Sequence, residues 1–274
     1  MRTAISELDL RRASSLRDAL ALLHDERRTP IAGATDLYVA LNFGTLAHRR
    51  FVDIWPLDEL RQISIRGDTL ILGALVTYTD AIRSAYVAHH LPMLVAAARQ
   101  VGGPQIQNRG TIGGNVANAS PAGDSLPVFA AVDATVVLRS TDAERRVAFT
   151  EFYTGYRTTV MRPDELIVAI EVPKVEGTQW FRKVGTRAAQ AISKVVAAGV
   201  RGTEPRFALG SVGPTVIRAR QTEHALAAGE GVDEAADALA NEISPIDDIR
   251  STADYRRRVA TNLLRRFWSD TASA

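Results

Sequence analysis

Gly103-Pro-Gln-Ile-Gln-Asn-Arg-Gly-Thr-Ile-Gly-Gly-Asn-Val-Ala-Asn-Ala-Ser-Pro-Ala-Gly-Asp124 is the stretch on which the reading of this chain turns. With Gly102 it holds six glycines, and Asn108, Asn115 and Asn118 are interspersed among them. Its polarity and glycine content predict a long irregular loop. Loops beyond about 12–15 residues are uncommon in compact domains and usually have a function. Glycine lets backbone approach a ligand closely and take positive φ. Clustered backbone N–H groups form concavities that hold phosphate oxygens. Thr111 adds a hydroxyl, and Asp124 could accept a hydrogen bond from a ribose hydroxyl or cap the helix that follows.

Working outward, Ile31-Ala32-Gly33-Ala34-Thr35-Asp36 has the form strand, glycine turn, polar residue, helix. A helix start of this kind directs N–H groups and a positive dipole end at the turn, which suits an anion. Each segment also has a plainer reading, an N-capped helix start for Ile31–Asp36 and a simple turn for Thr111–Asn115. Neither is the Gly-x-Gly-x-x-Gly of a dinucleotide unit, nor does either end in the Gly-Lys-Ser/Thr of a P-loop. Spacing alone leaves the ligand open.

Around these segments the pattern alternates. Leu16, Ala19, Leu20 and Leu23 recur at helical spacing behind Ser14-Ser15. A helix is predicted over 36–43, stopped by Gly44, then a strand over 51–54. Residues 60–66 and 69–73 flank Gly67-Asp68 as a hairpin. Helices are predicted over 79–88 and 91–101, the latter with Pro92 in its first turn. Residues 125–131 and 134–139 read as strand or helix, and 166–172 as a strand ended by Pro173. Beyond Glu176 come strands over 180–184, 191–200 and 206–212, then helices over 218–228, 233–243 and 253–268. The expectation is an α+β chain with a boundary near Glu176.

The chain has 274 residues, 46% apolar and 23% charged, as in an ordinary globular protein. No apolar run approaches the length of a membrane span, and residues 1–10 lack the apolar core of a signal peptide. Cysteine is absent, so thiolate chemistry, cysteine-bound zinc and iron–sulfur ligation by this chain are excluded, and the cytoplasm is the expected compartment. The net charge is +2, and aromatics make up only 6%, without a basic stripe to interleave, which argues against a nucleic-acid partner. His89-His90 reads as a helix-end pair without a metal partner. Asp247-Asp248 reads as part of a turn or interface, Tyr153 and Tyr156 as packing residues, and Arg256–Arg258 as a solvated helix face or subunit contact.

Taken together, Ile31–Leu37 and Gly103–Asp124 resemble the FAD-binding subunit of molybdenum hydroxylases, the medium subunit of the xanthine and carbon monoxide dehydrogenase family. The likeness continues in Phe152-Tyr-Thr-Gly-Tyr-Arg157 and Asp164-Glu-Leu-Ile-Val-Ala-Ile-Glu-Val-Pro173. It runs on through Phe181-Arg-Lys-Val-Gly185, Ala191-Ile-Ser-Lys194, Leu209-Gly-Ser-Val-Gly-Pro-Thr-Val-Ile-Arg218, Ser244-Pro-Ile-Asp-Asp-Ile-Arg250 and Tyr255-Arg-Arg-Arg258. The resemblance implies an α+β fold of the vanillyl-alcohol-oxidase (PCMH-like) type. Residues 1–176 would be the FAD-binding domain, with subdomains of about 1–55 and 56–176. Residues 177–274 would be a C-terminal α+β domain of antiparallel sheet and helices.

The resemblance also implies an oxidoreductase subunit that passes electrons from [2Fe–2S] clusters through FAD to NAD or another acceptor. The clusters and molybdopterin would sit on a small and a large partner subunit. Carried over residue by residue, Ala32, Gly33, Ala34, Thr35, Asp36 and Leu37 form a first pyrophosphate loop, and Thr111, Gly113, Gly114 and Asn115 a second. Ser120 and Asp124 match positions near the ribityl, ribose or phosphate. Ile167 matches the position that packs on the isoalloxazine, Val101 one near the flavin face, and Lys194 one near the flavin edge. Two departures stand out: Ala34 replaces a frequent second glycine, and Val101 stands where some relatives carry an aromatic. Two other readings remain open: a free-standing flavin-dependent oxidase or reductase of a small molecule on the same fold, and a non-redox module with a structural nucleotide site.

Overall fold

The structure, a computed structural model, describes residues 7–188 and 190–272. Three larger sheets and one two-stranded sheet organise the described residues. The first is parallel, in the order β1-β3-β2, from β1 (Asp9–Arg12), β2 (Thr29–Ile31) and β3 (Arg50–Asp53). Helices α1 (Leu16–Glu26) and α2 (Leu37–Phe43) make its connections. Ser15 caps α1 by accepting from the Asp18 N–H, and Leu16, Ala19, Leu20 and Leu23 are buried, as their spacing predicts. These elements form an N-terminal lobe with its own small core, which also takes in Leu60, Leu75 and Leu166.

The second sheet is antiparallel, in the order β4-β5-β10-β6-β7. Its hairpin is β4 (Ile63–Arg66) and β5 (Thr69–Gly73), turned at Gly67 with φ +58°. After it come short helices: α3 (Tyr78–Arg83), α4 (Ala85–His90), α5 (Pro92–Ala98), α6 (Pro104–Gln107), α7 (Ile112–Asn118) and α8 (Leu126–Ala131). Then follow β6 (Thr135–Arg139), β7 (Glu144–Ala148), α9 (Phe149–Phe152), the small pair β8 (Tyr153–Gly155) and β9 (Thr158–Thr159), and the central strand β10 (Leu166–Val172).

The third sheet, β11 (Thr178–Val184), β12 (Val195–Arg201), β13 (Arg206–Gly210) and β14 (Ile217–Arg218), is antiparallel in sequence order. In β12, Val196, Ala198 and Val200 face the core shared with the second sheet. Val195 and Ala197 face α10 (Arg220–Ala227), α11 (Val232–Glu242) and α12 (Ala253–Asp270). That alternation is the two-residue period of a strand buried on both sides. Gly199 makes room on the helical side, because a Cβ there would stand 2.7 Å from the Phe267 ring.

Several sequence expectations change. The stretch from Gly102 to Asp124 is not an irregular loop, because α6 and α7 occupy much of it. Thr111 starts α7 by accepting from the Gly114 N–H, so a capping hydroxyl overrides the glycine pair's poor helix propensity. Ser84 divides the predicted 79–88 helix: its backbone is extended and its hydroxyl caps α4. Residues 58–61 form a 3-10 turn ahead of β4, and β12 begins only at Val195. Arg256 is buried rather than solvated, donating to the Ser211 carbonyl at 2.9 Å and to Asp248 at 2.6 Å. Asp248 also accepts from the Arg250 and Ser251 N–H groups, which makes the Asp247-Asp248 segment a turn.

Candidate functional site

The two glycine-bearing segments meet. A methyl group built on Gly33 would overlap the Arg109 carbonyl oxygen and stand 2.6 Å from the Arg109 carbonyl carbon and 3.2 Å from the Gly110 nitrogen. The N-terminal lobe and the second lobe therefore touch backbone to backbone at this point. The junction is braced by Trp55. The Arg109 guanidinium lies 3.7 Å from its ring centroid and that of Arg61 lies at 4.1 Å. Arg61 also donates to the Trp55 carbonyl.

On the first segment Ala32, Gly33, Ala34, Thr35 and Leu37 are half-buried and Asp36 is exposed. Ala34 has φ +63°, a left-handed conformation that costs a non-glycine residue about 1 kcal/mol. The departure from glycine noticed in the sequence is thus a strained position. Asp36 precedes α2 with helical φ/ψ and its carboxylate caps no N–H, so the expected N-cap does not form. Arg157, from the turn between β8 and β9, is close enough for its charge to act on Asp36 and donates to the Asn118 side chain at 2.8 Å.

On the second segment the N–H donors expected to form an open nest are already engaged. Ile112 N–H donates to the Val76 carbonyl, Gly113 N–H to the Ala74 carbonyl, each at 2.9 Å, and Gly114 N–H to Thr111 Oγ1 at 3.1 Å. Gly113 faces the protein interior: a Cβ there would lie 2.7 Å from the Ala74 Cβ. Gly114 is the exposed member of the pair. The Asn115 carboxamide is half-buried, and its Oδ1 accepts from Ser125 Oγ at 2.8 Å. Among the described residues its Nδ2 has no acceptor.

Ser120 closes a turn, accepting the Gly123 N–H on its carbonyl. That turn leads to Asp124, whose Oδ2 accepts from Lys183 Nζ at 2.6 Å. Lys183 also donates to the Gln100 carbonyl at 3.2 Å. Asp124 Oδ1 is buried without a donor among the described residues. Burial pushes the Asp124 carboxyl up to about 6, against the opposing pull of Lys183. Val101 is half-buried beside Gln100, and its carbonyl accepts from Gln107 at 3.2 Å.

Ile167 is 3% exposed and belongs to the core of the second sheet, at a bulge in β10. Lys194 Nζ lies 5.0 Å from the centroid of the Tyr255 ring in α12. The lysine joined to the Gly102–Asp124 stretch is Lys183, which the sequence reading passed over. The signal was present: the chain has three lysines, and one of them stands in Phe181-Arg-Lys-Val-Gly185. Tyr78 and Ser125, buried behind Asn115, left no motif to find.

These features accommodate a hydroxyl-rich, anionic dinucleotide. The lobes close on glycine backbone, an amide donor is left over, and a buried carboxylate oxygen lacks its donor. The comparisons identify the class. Residues 6–175 match the FAD binding domain in molybdopterin dehydrogenase, and residues 179–271 match the CO dehydrogenase flavoprotein C-terminal domain. The chain belongs to the family of FAD-binding subunits of the molybdenum hydroxylases, oxidoreductase flavoproteins with this PCMH-like α+β fold.

It is 32% identical to the glyceraldehyde dehydrogenase medium chain of Sulfolobus acidocaldarius, over 95% of this chain and 97% of that one. It is 30% identical to the xanthine dehydrogenase FAD-binding subunit of Escherichia coli O157:H7, over 96% and 95%. A solved chain of carbon monoxide dehydrogenase from Hydrogenophaga pseudoflava superposes with a TM-score of 0.90 at 30% identity, covering 95% of each chain.

Proposed function

We propose that this chain is the electron-transfer flavin subunit of a multi-subunit dehydrogenase, with FAD held where the two glycine-bearing segments meet. The observation that carries this is the backbone contact of Gly33 with Arg109, which brings segments some seventy residues apart to one place. In this reading Ala32–Leu37 and Thr111–Asn115 hold the pyrophosphate side. Asn115 donates from its amide, and Asp124 offers its unpartnered oxygen to a ligand hydroxyl. Ser120, Val101 and Lys194 border the rest, and Lys183 fixes Asp124.

FAD, when bound, would accept electrons singly from iron–sulfur clusters and hand two on to NAD or another acceptor. A chain without cysteine cannot hold such clusters, so they belong to a small subunit, with molybdopterin on a large one. Relatives named as medium chains support a three-part assembly. The division into 1–176 and 177–274 and a cytoplasmic setting complete the proposal. Among the described residues no helix is long and apolar enough to cross a membrane.

The test is to purify the full chain with and without its partner subunits. The expected outcome is a yellow chain that binds FAD stoichiometrically and oxidises no organic substrate alone. Turnover by the isolated chain would favour the free-standing flavoenzyme, and a colourless protein to which added FAD does not bind would remove both readings.

A further inference from the structure

A hydrogen-bonded chain runs behind the second segment and ends at Asn115. Tyr78, in the first turn of α3, is 2% exposed, and its hydroxyl lies 3.4 Å from Ser125 Oγ. Ser125, fully buried ahead of α8, donates to Asn115 Oδ1 at 2.8 Å. A serine hydroxyl has one hydrogen. With that hydrogen committed to Asn115, the Tyr78 hydroxyl must be the donor in the other contact. Tyr78 keeps its proton, because burial, together with the negative charges of Asp124 and Asp36, raises its pKa far above the working range. The chain therefore has one direction, from Tyr78 to Ser125 to the Asn115 carbonyl oxygen.

We propose that Tyr78 and Ser125 are positioning residues that lock the Asn115 carboxamide with its NH2 edge free to donate to the anionic portion of the bound dinucleotide. The inference rests on the flavin reading above and deepens it. A carboxamide has two nearly isosteric orientations, one presenting a donor and the other an acceptor. Presented to a phosphate oxygen, the acceptor edge would be repelled. Ser125 accepts from Tyr78 and donates to Asn115, so only the orientation with Oδ1 turned inward satisfies all three groups. The ring of Tyr78 also lines Gly110, where a Cβ would lie 3.3 Å from its Cδ2, so the same residue supports the segment that meets Gly33.

The experiment is a double-mutant cycle on the full chain freed of cofactor, reading the FAD dissociation constant by fluorescence quenching and the apo-protein melting temperature. Ser125→Ala should weaken FAD binding about fivefold, the scale of one oriented hydrogen bond. In the Asn115→Ala background the same change should leave affinity within about twofold, because the group it orients is gone. Tyr78→Phe should weaken binding about twofold, again only when Asn115 is present. It serves as the second probe should Ser125→Ala fail to fold.

An unchanged affinity in Ser125→Ala, or an equal loss with and without Asn115, overturns the positioning role while leaving the flavin reading intact. A wild-type chain that binds no FAD overturns the flavin reading, and the positioning role falls with it.

Discussion

At Gly33 the missing side chain lets the backbone of one lobe reach that of the other, whereas at Gly113 it lets α7 lie against Ala74 inside a single lobe. The first segment is half-buried and carries the strained Ala34. The second is packed, capped by Thr111, and has its leading N–H groups engaged. Similar sequence texture thus serves two ends: closure between lobes at the first position, and rigid support beneath the site at the second. A glycine pair in a binding motif is thus not by itself a set of free donors.

Replacing Gly33 tests the contrast hardest. Gly33→Ala should cost about 3–4 kcal/mol, because backbone cannot yield as a side-chain tip can, and should abolish FAD retention. Urea titration and the flavin-to-protein absorbance ratio read both effects, and a variant that keeps its flavin would break the closure argument.

Next in size is the pH response of Asp124. Its folded carboxyl, at about 6, lies above its ordinary value of 3.8. As pH rises from about 4 to 6 the unfolded chain releases this proton first, so the group's contribution to stability is present at low pH and is lost as pH passes the folded value. The loss should be about 3 kcal/mol, levelling off above that value. Denaturation midpoints for wild type minus those for Asp124→Asn isolate the slope, and a flat difference between pH 4 and 7 would contradict it.

Gly113→Ala should cost about 2 kcal/mol through crowding against Ala74. The folded fraction should still bind FAD with affinity closer to wild type than Gly33→Ala does, as an FAD titration of refolded protein would show. If affinity collapses while the fold survives, Gly113 faces the ligand after all.

Ala34→Gly is the gentlest change. Relief at positive φ outweighs the added freedom of the unfolded chain, so a gain of about 0.5 kcal/mol is expected from thermal unfolding.

Much of this was legible in the chain itself. Leu16, Ala19, Leu20 and Leu23 announce α1 because helical periodicity is local. Residues 166–172 announce β10 because a short run of apolar residues broken only by Glu171, between punctuators, has few other uses. The family motifs in Ile31–Leu37 and Gly103–Asp124 pointed to FAD. Lys183, Tyr78 and Ser125 were not legible as a set, because nothing local marks a side chain whose partner lies 59 or 47 residues away. The core setting of Ile167 was hidden for a related reason: position in a motif does not say which face of a bulged strand a side chain takes.

By itself the amino-acid order determined the elements with short-range causes: helix caps, strand periodicity, the Gly67 turn, and the absence of any thiol ligand. Tertiary structure alone decided which glycine joins two lobes, which lysine meets Asp124, and which way the Asn115 amide points. Those outcomes depend on distances between groups remote in sequence, and such distances are set only when the sheets and helices have packed.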